Sequence, residues 1–188
     1  MTKQLRRRRK ALVAKALAED SDKKFGKQFA TVIVILWAST RVVQVASGLL
    51  SKILGSLIVD STHTMIMFLV MAIYLWSLYS GFRWVVVFPV FMGGIFVLET
   101  FRFNLYYVLI STRYAFDAHL YALTYIVAAY AQILFPIMLA GSPRSWLYFN
   151  TVNQITQELQ IEQIQAKYEQ KRKKKMEKKK NKNKNENQ

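Results

Sequence analysis

The sequence predicts an all-α, polytopic membrane protein of about four transmembrane helices, with a basic amphipathic helix at the N-terminus and a polar, basic helix at the C-terminus. Three observations lead there. Of the 188 residues 53% are hydrophobic, although the net charge is +16. Charge and apolar content are segregated: residues 1–28 hold ten basic and three acidic residues, residues 147–188 hold eleven and five, and the 118 residues between hold only six and three. A globular surface needs roughly 25% charged residues, so that middle belongs in lipid. Finally, the middle divides into apolar runs near membrane length, separated by charges and turn residues. Together these exclude a soluble DNA-binding domain, a disulfide-stapled secreted module and a wholly disordered basic protein. Cysteine is absent, which removes thiol catalysis and thiolate metal sites.

Residues 1–28 form the N-terminal arm. Leu5, Leu12, Val13 and Leu17 share one side of a helix over 3–19, and Arg6, Arg7, Arg8, Arg9 and Lys10 cover much of the rest. This arm is either a solvated, topology-setting segment or a helix lying on anionic headgroups, where each basic residue contributes about 1 kcal/mol. The second reading is preferred, and it makes Arg6, Arg7, Arg8 and Arg9 surface contacts. An Arg-rich amphipathic start also resembles a mitochondrial presequence, with Glu19, Asp20 and Asp22 against it. Gly26 is expected to loosen the link into the membrane domain.

The membrane domain is expected over 29–141, with spans at about 29–50, 64–80, 84–110 and 119–140. The first carries Arg41 near its middle and could extend to Asp60. Arg41, Gln44, Gly48, Ser51 and Gly55 recur every three or four residues as a polar stripe, and Ser47, Ser51 and Gly55 make a small-residue ladder suited to close helix approach. That stripe is a packing face or the lining of a pore. The second span ends in Trp76, Tyr79 and Ser80, and Gly81 breaks it before Arg83 and Trp84, as in an interfacial hairpin. The third reaches membrane length by including Glu99, Arg102 and Asn104. Glu99 and Arg102 are spaced to pair on one helical face, and Arg113 and Asp117 are spaced to pair in the next turn. The fourth span carries no Asp, Glu, Lys or Arg. Ser142 then caps a new helix with Pro143 at its first position.

Residues 142–170 read as an amphipathic extramembrane helix in which Val152, Ile155 and Leu159, then Ile161, Ile164 and Tyr168, step by three and four: a short coiled coil with a broken heptad. Residues 171–188 read as a disordered Lys/Asn-rich tail. Its Lys173, Lys174 and Lys175 are further candidate contacts to anionic surfaces.

An even number of spans puts both basic ends on one side, and basic ends prefer the cytoplasmic or matrix side. This fits the endoplasmic reticulum, the mitochondrial inner membrane and the bacterial inner membrane equally. Three spans, with the first lying flat because of Arg41, is the alternative.

No catalytic constellation, cofactor fingerprint or metal motif is present. His63 and His119 are too few for a metal site and a weak basis for a haem. Four functions compete. The first is a non-catalytic accessory or scaffold subunit of a larger membrane complex, packing on other membrane subunits through the Ser47/Ser51/Gly55 ladder. The second is a homo-oligomeric pore or transporter subunit using Arg41, Glu99, Arg102 and Asn104. A membrane tether binding ribosomes or nucleic acid nonspecifically through the basic termini is the third. A membrane-embedded enzyme is the fourth and the least supported.

Overall fold

A computed structural model describes the backbone of residues 3–55 and 62–185, and the side chains of residues 4–55 and 65–176. Among them every regular element is a helix and none is a strand. In chain order these are α1 (Lys3–Glu19), α2 (Ser21–Ile53), α3 (Thr62–Tyr79), a 3₁₀ turn (Arg83–Val86), α4 (Val87–Arg102), α5 (Leu105–Ile110), α6 (Phe116–Gly141) and α7 (Pro143–Asn185). Three stretches are long and apolar enough to cross a membrane: Ser21–Ile53, Arg83–Arg102 and Phe116–Gly141. The apolar part of α3, Met65–Tyr79, is shorter.

Asp20 starts α2. Its carboxylate accepts the backbone N–H groups of Asp22 and Lys23 at 2.9 and 3.3 Å, filling donors that a helix start leaves empty. From there α2 runs unbroken for 33 residues, so the expected boundary at residue 28 falls inside a helix. Gly26 does not loosen it. Gly26 is buried, and a Cβ there would collide with the backbone carbonyl of Arg144; glycine is present because two backbones touch. The suggested extension to Asp60 lies partly outside the described residues, and α2 ends at Ile53, followed by Gly55 at φ 73°.

The stretch expected as one span over 84–110 is divided. Asn104 sits in the left-handed region at φ 50°, a conformation Asn tolerates better than most side chains. It separates α4 from the short α5. The crossing stretch gains its length at the other end, from the 3₁₀ turn that precedes α4.

Two apolar clusters sit at opposite ends of the bundle. At one, Leu17 of α1, Ile33 and Trp37 of α2, Tyr74 and Leu78 of α3, Leu139 of α6 and Phe149 of α7 meet. At the other, Met67 of α3, Phe96 of α4, Val108 of α5 and Ala122 and Tyr125 of α6 meet. Gly93 lets α4 approach α6 closely: a Cβ would lie 2.6 Å from Cγ1 of Ile133.

α1 and α7 run side by side outside the membrane domain. Arg8 pairs with Glu162 at 2.7 Å, while Leu17, farther along α1, joins Tyr148 and Val152 near the start of α7; the two helices are therefore antiparallel. The apolar side of α1 is thus covered by its own chain. α7 starts at Pro143, with the Ser142 hydroxyl accepting the Ser145 N–H at 3.3 Å. It continues as helix past residue 171, where like-charge repulsion led to an expectation of disorder. Lys, Arg, Gln and Glu are good helix formers, and their propensity favours the continuation.

Candidate functional site

The polar stripe of α2 faces α6, and α6 answers it with polar groups of its own. Going along α2, the Trp37 indole donates to Oε1 of Gln132 at 2.9 Å. Arg41 donates to Oε1 of Gln44 at 2.9 Å, to the Ala128 carbonyl at 2.7 Å and to Oε1 of Gln132 at 3.2 Å. The hydroxyls of Ser47 and Thr124 are 2.6 Å apart, and Ser51 donates to the Asp117 carbonyl at 3.0 Å. Partners descend α6 as positions ascend α2, so the pair is antiparallel and joined by polar rungs along most of its length. Small residues at the crossing bring the backbones together, and the rungs join them, as is usual between helices in lipid.

Burial decides what this ladder can do. Arg41 is 2% exposed and Gln132 and Ser51 are 0% exposed. A guanidinium in so sealed a position is costly unless its N–H groups are donated. Two carboxamides and a carbonyl receive it, and among the described residues no carboxylate pairs with it. Ser47 and Ser51, expected to serve a neighbouring subunit, are used internally against α6, and Gly55 lies beyond the helix end, exposed. The ladder is therefore not a surface offered to a partner.

Glu99 and Arg102 do not pair. The Tyr125 hydroxyl donates to Glu99 at 2.6 Å, while Arg102 is exposed with its guanidinium 5.8 Å from the centre of the Phe103 ring. Asn104 is exposed at the left-handed turn. Glu99 and Arg41 thus both reach the same helix, α6, Glu99 through Tyr125 and Arg41 through Ala128 and Gln132, positions spaced three and four apart on one helical face. Asp117 is buried and Arg113 exposed, so this second spacing does not form a solvated surface pair. The His119 ring nitrogens face the carbonyls of Ala115 and Ser111 at 3.0 and 2.9 Å; the His63 side chain lies outside the described residues. Among the described residues no group of three or more His, Cys, Asp or Glu could hold a metal ion.

The four consecutive arginines of α1 separate by role. Arg7 is exposed, Arg8 is tied to Glu162, and Arg6 and Arg9 line a cleft of about 680 Å³ with Lys10, Lys27, Tyr79 and Tyr148. Tyr148 is buried among aromatic neighbours, and that burial holds its hydroxyl well above the ordinary tyrosine pKa. Lys173, Lys174 and Lys175 are exposed on α7. This cleft was not legible in the sequence, because Lys27 is 17 positions or more from the arm's basic run and Tyr148 more than a hundred. The class defined by these features is an all-helical protein with three helices fit to cross a membrane. Comparison with protein-family models, with curated proteins and with solved structures finds no match to this chain.

Proposed function

We propose that the chain is a non-catalytic accessory subunit of a larger membrane complex, with four membrane crossings and both termini on the cytoplasmic or matrix side. The observation that carries this reading is the distal half of α7. Past the Arg8–Glu162 contact the helix leaves the body, and around and beyond that contact Ile161, Ile164 and Tyr168 are 54%, 54% and 70% exposed on it. An isolated helix is marginal in water without a packed face, and these residues recur at the spacing of such a face. A partner helix or protein surface meets that need.

Four crossings are supported by where the helix ends lie. α1 precedes α2 and α7 follows α6, yet α1 and α7 pack together, so an even number of crossings connects them. Leu78 near the end of α3 joins the cluster that holds Leu17 and Phe149, whereas Met67 near its start joins the opposite cluster. Eighteen helical residues span about 27 Å at 1.5 Å each, close to the roughly 30 Å of a hydrocarbon core.

The pore reading needs Arg41, Glu99 and Arg102 on one aqueous path. Arg41 sealed between helices and Arg102 on the outer face of α4 give it no support. The tether reading keeps the exposed basic residues of α7 and predicts binding that weakens steeply with salt.

The test is extraction of the tagged full chain in mild detergent, followed by native electrophoresis and mass spectrometry of co-migrating proteins. A defined hetero-complex is expected, and truncation after residue 159 is expected to dissolve it while the bundle stays folded. A monodisperse free monomer from native membranes overturns the reading.

A further inference from the structure

We propose that the cleft between α1, α2, α7 and the end of α3 binds the phosphorylated headgroup of an anionic membrane lipid, with an acyl chain lying along α2. This goes beyond nonspecific attraction of a basic arm, and it holds or fails independently of the accessory-subunit reading.

Charge is the first argument. Arg6, Arg9, Lys10 and Lys27 line one cavity of about 680 Å³ together with the Tyr79 and Tyr148 side chains, and no carboxylate is among the residues that line it. The nearby acids are engaged elsewhere: Glu162 with Arg8, Glu19 with Lys15, Asp20 with Lys23 and Asp22 with Arg144. Four cations are thus gathered around one space with no counter-charge in its wall, three of them on α1, which Leu17 anchors in the core and Arg8 ties to α7. A phosphate neutralises this repulsion and accepts hydrogen bonds from the guanidinium groups. The volume lies within the usual range for small-ligand sites, about 300–1,000 Å³.

Position is the second argument, and it selects a lipid over a free phosphate. A second cavity, about 570 Å³, shares Ala14, Leu17 and Lys27 with the first and continues along α2 to Thr31 and Val32. Lys27 stands two residues before Phe29, where the apolar run of α2 begins. Basic side chains at such a boundary sit at headgroup depth. The exposed Trp76 and Trp84 place the end of α3 and the 3₁₀ turn before α4 at the same level. The arrangement is therefore a cationic head cavity opening onto an apolar groove directed into the bilayer.

The experiment uses the purified full chain in neutral detergent with three ligands: dioctanoyl phosphatidylinositol 4-phosphate, its free headgroup inositol 1,4-bisphosphate, and dioctanoyl phosphatidylcholine. The phosphorylated lipid is expected to bind at least tenfold more tightly than either of the others. Arg9→Gln with Lys27→Gln is expected to weaken it tenfold or more; Arg7→Gln with Lys15→Gln, the same charge loss outside the cleft, changes it less than twofold. Val32→Trp, which fills the groove, is expected to weaken the lipid and leave the headgroup unchanged. Lys10→Gln, an exposed position, serves as the milder cleft variant if the double one loses its helical circular dichroism. Equal affinity for lipid and free headgroup overturns the lipid assignment in favour of a soluble phosphate ligand. Equal losses in both double variants, or no binding, overturn the site.

Discussion

The guanidinium of Arg41 on α2 and the side-chain oxygen of Gln132 on α6 lie 3.2 Å apart, and that oxygen also accepts the Trp37 indole N–H at 2.9 Å. One carboxamide oxygen therefore joins two donors from successive turns of α2 and holds α2 and α6 in register. The charge at the centre of the bundle acts as an internal fastener. The groups that accept its hydrogen bonds are neutral, and Arg41 Nε and Gln132 Nε2 have no hydrogen-bond partner among the described residues.

This arrangement makes the Arg41 side chain structurally important and its charge replaceable. Arg41→Ala removes three donated hydrogen bonds and leaves a void, and is expected to lower stability by about 2–4 kcal/mol. Arg41→Met combined with Gln44→Leu keeps the volume and removes the charge together with one of its acceptors. It is expected to recover most of that loss, as hydrophobic replacement of buried polar groups often does. Denaturant titration of purified protein in micelles measures both. A double variant no more stable than Arg41→Ala would refute the volume argument.

Two adjacent glycines on α4 give opposite expectations. A Cβ on Gly93 meets Ile133 Cγ1 at 2.6 Å and backbone atoms of α6 at 3.2 Å, while a Cβ on Gly94 meets nothing within 4 Å. Gly93→Ala is expected to cost about 1–3 kcal/mol through overpacking of the α4–α6 contact. Gly94→Ala is expected to be neutral or to stabilise by up to about 1 kcal/mol through helix propensity. Melting of the two single variants in the same detergent separates them, and similar melting temperatures would show that α4 does not pack on α6 through Gly93.

How far the sequence carries can be read from these residues. The apolar runs of α2, α4 and α6 declare a helical membrane protein because hydropathy and spacing are properties of the chain alone. The stripe through Arg41, Gln44 and Ser51 is equally visible, since side chains three and four apart share a helical face. Its partner is not visible: nothing in the spacing says that Thr124, Ala128 and Gln132 of the same chain, rather than a neighbouring subunit, receive it. Gly26 reads as a loosened link in one dimension and is a backbone contact with Arg144 in three. Asn104 sits within a continuous helical pattern, and only the left-handed backbone turn reveals the break. The cleft of Arg9, Lys27 and Tyr148 depends on α1 folding back along α7, an outcome of tertiary packing.

The start of α2 is expected to respond to acid. The Asp20 carboxylate is held below its ordinary value of 3.8, first by the N–H of Lys23 and further by that of Asp22. Because the folded-state value is the lower one, the ionised cap contributes fully above 3.8 and its contribution is lost as pH falls below that, through the folded-state value. Protection of the Asp22 and Lys23 amides against hydrogen exchange is therefore expected to be constant from pH 7 to 5 and to drop only below 3.8. In Asp20→Asn, which keeps an oxygen acceptor without the charge, protection is expected to be independent of pH. Identical pH profiles for the two proteins would mean that the carboxylate does not cap α2.

The crossing number can be tested directly because the chain has no cysteine, so single introduced thiols report without background. Arg7 and Lys171 are exposed on α1 and α7, Phe82 is exposed in the turn after α3, and Thr112 is exposed between α5 and α6. Each is replaced by cysteine and treated with a membrane-impermeant maleimide, in sealed vesicles and after permeabilisation. With four crossings, the positions at 7, 82 and 171 label from one side, and position 112 labels from the other. If α3 fails to cross while α2, α4 and α6 do, positions 7 and 112 label from one side and positions 82 and 171 from the other. The packing of Leu78 beside Leu17 and Phe149 predicts the first pattern, since the end of α3 cannot touch α1 and α7 while lying across the bilayer from them.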